Sequence, residues 1–140
     1  FDARENVLNC IKAAKWCCAN KLYQQATTML EEGLGTFLCC HYQLDYREMA
    51  NRDAIFGCIS IKTQNKDIEE NKANKELVEK ILADDSVWGN KAFVTILQKI
   101  LELRNDYNHA GFKKNPFTAQ KVIEKIEELL DGIEEVLSEI

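Results

Sequence analysis

The chain has 140 residues, 46% hydrophobic and 29% charged, with one proline and six glycines; that is apolar material for one continuous core, so a single domain over residues 1–140 is expected and a disordered or fibrous chain is excluded. A formal net charge of −5 excludes capture of nucleic acid by the surface as a whole, though not by a local basic site. No run of about 18 apolar residues occurs and "FDARENVLNC" lacks the basic and apolar regions of a signal peptide, so a soluble cytoplasmic protein with no membrane contact is expected.

The elements follow from apolar spacing. Residues 2–19 carry Val7, Leu8, Ile11, Ala14 and Cys18 at i, i+3, i+4, i+7, the stripe of a helix that buries one face, and Asn20 is a natural stop. A second helix is expected over 21–42 with Leu22, Ala26, Met29, Leu30, Leu34, Phe37 and Leu38 inward; Gly33 and Gly35 weaken it or let a neighbour approach closely. The two are expected to form an antiparallel hairpin. Residues 46–61 read as a third helix, 62–75 as a polar loop leading into another, and Leu77, Val78, Ile81 and Leu82 restore helical spacing. "DDSVWGN", residues 84–90, is turn chemistry with Trp88 as a core anchor.

From Lys91 to Asn108 a row of Phe93, Ile96, Ile100, Leu103 and Tyr107 is flanked by a second row, Leu97 and Leu101, which Arg104 and Asn108 continue. Residues 117–140 form a long amphipathic helix with Ile123, Ile126, Leu130, Ile133, Leu137 and Ile140 at a/d spacing. The expected fold is all-α, a bundle of five or six helices. The six cysteines, Cys10, Cys17, Cys18, Cys39, Cys40 and Cys58, include two adjacent pairs and no C-x-x-C, and read as reduced, small core residues rather than a metal site.

Charge is segregated near the end of the chain. Residues 104–121 carry Arg104, Lys113, Lys114 and Lys121 against Asp106, a net of +3, whereas residues 122–140 carry Lys125 against seven acids, a net of −6. Arg104 lies at the edge of a face that is otherwise buried, so it needs a carboxylate, a phosphate or a second chain as partner. His109 falls where Gly111 and Pro116 end the helix, at the negative end of its dipole. Five residues separate Arg104 from His109, about 140° around a regular helix, so they converge only if the helix ends between them or two chains contribute. By spacing alone the pair reads more readily as an arginine tied to an acid and a histidine capping a helix than as a catalytic pair.

The run "LRNDYNHAGFKKNP", 103–116, resembles the signature of the HEPN ribonuclease domain of type III CRISPR-associated CARF–HEPN proteins, the DxTHG family, and "WCCANKLYQQATTMLEEGL", 16–34, is similar to that family's segment leading into the bundle. The resemblance implies a HEPN-like bundle in which Arg104 and His109 are the catalytic R-x-x-x-x-H pair, Asn105 is the polar residue after the arginine, and two chains form a homodimer with single-stranded RNA as substrate. The CARF domain that senses cyclic oligoadenylate in such proteins has no counterpart in the sequence, since no strand–loop–helix unit or Gly-rich loop is present. Beginning at Phe1 rather than Met, the chain reads as the effector domain of a longer protein.

The residues suit that chemistry. RNA transesterification needs the 2′-OH as nucleophile, a proton carrier and positive charge on the phosphorane, with no metal or cofactor. His109 titrates in the right range, Arg104 offers planar permanent donors, and Lys113, Lys114 and Asn108 are placed to hold flanking RNA. The alternatives are a non-catalytic dimerisation module and a stand-alone toxin-like ribonuclease.

Overall fold

A computed structural model describes residues 1–68, 74–108 and 118–140, without the side chains of Asp106, Tyr107, Asn108 and Ala119. The described residues contain seven helices and no strand: α1 Ala3–Ala19, α2 Tyr23–His41, α3 Met49–Gln64, α4 Lys75–Leu82, α5 Asp85–Trp88, α6 Lys91–Asn108 and α7 Ala119–Ser138. The all-α expectation holds. The seventh element is α5, four residues long, where the sequence reads as a turn; Asp84 accepts from the Ser86 N–H and starts it as an N-cap.

Local chemistry sets the ends. The Asp2 side chain accepts from the N–H groups of Arg4 and Glu5 at 2.9 and 3.0 Å and caps α1. At the other end Asn20 is the cap residue, Lys21 adopts φ 59°, and the N–H groups of Lys21 and Leu22 return to the carbonyls of Cys18 and Cys17. This is a Schellman closure made without glycine. The end of α2 repeats it, with Gln43 at φ 58° and Leu44 N–H bonded to Cys39 O.

One core draws on every helix. The longest shared interface is between α1 and α2, and Gly33 is the reason they lie so close: a Cβ there would stand 2.7 Å from Cys10 Cβ. Gly35 does the same for α3, where a Cβ would meet Phe56 Cζ at 2.8 Å. Gly33→Ala is therefore expected to destabilise the fold by about 1–3 kcal/mol despite its better helix propensity, because Cys10 Cβ is fixed to its backbone and cannot swing away. A denaturant titration showing equal or higher stability would contradict this.

Two inward positions read from the α2 sequence turn outward. Met29 is 38% exposed and Leu22 37%, while Thr27, Glu31, Gly33, Gly35 and Cys39 are buried instead. The buried face is rotated relative to the apolar stripe because glycine lets two neighbours approach. On α7, Val122 and Leu129 join Ile126, Leu130, Ile133 and Leu137 in the core, and Ile123 is half-buried. That is a broad bundle face packed on α1, α6 and α2, not a narrow coiled-coil seam.

Trp88 is buried as expected. Its indole N–H is buried without a hydrogen-bond partner among the described residues. Tyr42 donates to Asp84 at 3.2 Å, tying the end of α2 to the start of α5. All six cysteines are free, with Cys17, Cys39 and Cys58 buried and Cys10, Cys18 and Cys40 half-buried. Burial raises the Cys58 thiol to about 12, so it stays protonated and packs as a small apolar group.

Candidate functional site

The second row of α6 leaves the core along its length: Leu97 is buried, Leu101 half-buried and Arg104 exposed. Arg104 thus sits in the next-to-last turn of α6, at the rim that the spacing predicts. Asn105 follows it and is also exposed. Asn108 closes α6, but its side chain lies outside the described residues, as do His109, Lys113 and Lys114 entirely.

Arg104 meets a carboxylate of its own chain. Its Nη1 donates to Glu31 Oε1 at 2.7 Å, joining α6 to α2. The two ends of the pair differ in environment: the Arg104 side chain is 47% exposed and the Glu31 side chain 10%. Glu31 reaches inward because Thr27, Glu31, Leu34 and Leu38 are spaced i, i+4, i+7, i+11 on one face. It borders a recess lined otherwise by Leu34, Phe56, Ile59, Leu97, Ile100 and Leu101.

The next residue points elsewhere. Glu32, 100° further around α2, pairs with Arg52 of α3. Arg52 also donates from Nη1 to Thr36 Oγ1 at 3.0 Å and lies 5.7 Å over the Phe56 ring. Two adjacent glutamates therefore hold two arginines on two different helices. Sequence reading found Arg104 and missed Glu31, Glu32 and Arg52; the signal for Glu31 was a carboxylate within a buried row.

Burial pushes the Glu31 carboxyl above its ordinary value of 4.5; Arg104 opposes the shift, Glu32 adds to it and Arg52 opposes it. Since the folded state then holds the proton more tightly than the unfolded chain, the stability Glu31 contributes is complete below its unfolded value and is lost as pH rises through the folded one. Glu31→Gln, which does not titrate, is expected to gain on the parent as pH rises from about 4 to 7. Urea midpoints of both proteins across that range measure it, and a gap that narrows with rising pH would refute the assignment.

The remaining histidine, His41, belongs to another place. Its Nε2 lies 3.8 Å from Asp84 Oδ2, ten residues and so about 15 Å along α2 from Glu31. Beside it, burial and then Asp84 raise the Tyr42 hydroxyl above its usual range. That cluster ties helix ends together. Among the described residues no three His, Cys, Asp or Glu side chains gather to hold a metal ion, and no helix is long and apolar enough to cross a membrane.

Comparison of the chain with protein-family models, with curated proteins and with solved structures finds no match.

Proposed function

We propose that the chain is a metal-independent endoribonuclease of HEPN type that cleaves single-stranded RNA, the effector domain of a cytoplasmic type III CRISPR-associated defence protein, active as a two-fold homodimer. The observation that carries this reading is Arg104 itself: a permanent cation at the open rim of an all-helical bundle, anchored through Nη1 with nearly half its side chain accessible. A guanidinium has five N–H donors, so one bond to Glu31 leaves others for a phosphate. In the reaction the 2′-oxygen bonds to phosphorus and the P–O5′ bond breaks; the 2′-OH loses its proton and the leaving 5′-oxygen gains one. His109 carries those protons, Arg104 meets the charge of the phosphorane, and Asn105 hydrogen-bonds beside it. Lys113, Lys114 and Asn108 hold flanking RNA. Two chains are invoked because the resemblance of residues 103–116 implies a homodimer. The apolar face of α7 packs within its own bundle, so the partner contact falls to the Arg104 rim.

A second reading, a helical module in which Arg104 serves only the fold, draws on the same Arg104–Glu31 bond, since a structural arginine makes that contact too. Incubating purified protein with single-stranded RNA, beside the Arg104→Ala, His109→Ala double variant, separates them. The ribonuclease reading expects cleavage that the double variant loses; equal rates, or no cleavage by either, favour the module.

A further inference from the structure

Glu31 is the buried charged side chain among the described residues, 9% exposed, and nothing in the stability of a helical bundle calls for it. Replacing a desolvated ion pair by packed apolar groups is often neutral or stabilising. Its recess is otherwise apolar, so a methionine of similar length would fill the same space. A carboxylate here carries a desolvation cost, visible in its raised pKa, and its return is one hydrogen bond to Arg104.

The surrounding charges direct that bond. Glu32 faces α3 and is neutralised by Arg52, which is itself committed to Thr36 and to the Phe56 ring. Glu31 is thereby left to Arg104 of α6, and Arg104 finds Glu31 on the core side of its row. A free arginine side chain carries about 2 kcal/mol of rotamer entropy. Stabilising a transition state requires donors already in place, and a displacement of about 1 Å can cost about 100-fold.

We propose that Glu31 is the positioning residue of the ribonuclease site, an inference that rests on the reading of Arg104 given above: its carboxylate, at the border of an apolar recess lined by α2, α3 and α6, fixes the Arg104 guanidinium by Nη1 so that the remaining N–H donors face the scissile phosphate. Glu31 touches no RNA. It acts through Arg104, and in doing so lowers the positive potential of the rim, so it improves turnover without improving binding.

The test is a double-mutant cycle on RNA cleavage in EDTA with the parent, Glu31→Met, Glu31→Gln, Arg104→Ala and the Glu31→Met, Arg104→Ala double variant. Glu31→Met is expected to lower kcat about 10–100-fold with KM unchanged or reduced and thermal stability not reduced. Glu31→Gln, which keeps an acceptor, is expected to recover most of the loss. The double variant should be no slower than Arg104→Ala alone, because the residue through which Glu31 acts is gone. Glu31→Met cutting within about twofold of the parent, or losses that multiply in the double variant, would overturn the positioning role while leaving the ribonuclease reading intact. A parent that does not cut, or an Arg104→Ala variant that cuts equally fast, would overturn both. Should Glu31→Met fail to fold, Glu31→Ala takes its place: a loss of about tenfold or more that is absent from the Arg104→Ala background supports the role, and parent-like cleavage or a loss equal in both backgrounds refutes it.

Discussion

Arg104→Ala is expected to slow RNA cleavage by about 10²–10³-fold, the loss of about 2.7–4 kcal/mol of transition-state stabilisation that follows removal of one preorganised donor to a developing anion. KM should change less than kcat, because Lys113 and Lys114 remain to hold flanking phosphates. The same change leaves Glu31 beside its apolar recess without the guanidinium that holds its pKa down. The carboxyl then rises further, and the variant should lose more stability than the parent as pH rises through the higher value. Steady-state kinetics and urea unfolding at two pH values measure both effects. His109→Ala should give a comparable fall in kcat, because the proton carrier is lost. Cleavage within tenfold of the parent for either variant would contradict these roles.

Phe93→Ala should be the most damaging single truncation in the fold. Phe93 is fully buried near the start of α6, the helix that touches α2, α3, α5 and α7. Its own N–H accepts no movement cheaply, being donated to Asn90 Oδ1 at 3.1 Å where α6 begins. Removing the ring from such a site costs about 3–5 kcal/mol, a large share of the roughly 5–15 kcal/mol by which domains are stable. Leu101→Ala, in the half-buried row that leads to Arg104, should cost less. Chemical denaturation monitored by far-UV circular dichroism gives both values; a Phe93→Ala loss under about 1 kcal/mol would mean that α6 is not the axis of the core.

The helices were legible in the sequence because each carries an apolar row at 3.6-residue spacing, and the stop at Asn20 because a polar residue there precedes a break in the row. The place of Arg104 at the edge of the buried face, and its need for a partner, were legible for the same reason, since it continues a row that begins with Leu97 and Leu101; how far it is exposed there was not. What escaped was set by glycine and by burial of charge. Gly33 and Gly35 bring α1 and α3 close enough to turn Met29 outward and bury Thr27 and Glu31, an effect no hydropathy pattern encodes. The short α5 depends on Asp84 capping one turn of helix, which the same residues also suit as a plain turn. The partner of Arg104 could be named only as a carboxylate, because Glu31 is 73 residues away in the chain. The end of the motif, from His109 to Pro116, lies outside the described residues, and its part in the site rests on the sequence.

If Arg104 and His109 serve a 2′-OH transesterification, the ends of the RNA products record it. Single-stranded RNA and DNA of the same sequence are incubated with the protein in excess EDTA, and the RNA ends are identified by mass spectrometry. The expected result is 2′,3′-cyclic phosphate and 5′-OH ends from RNA, with the DNA intact. Fragments with 3′-OH and 5′-phosphate ends, cleavage of the DNA, or activity that appears only when divalent metal is restored would contradict it.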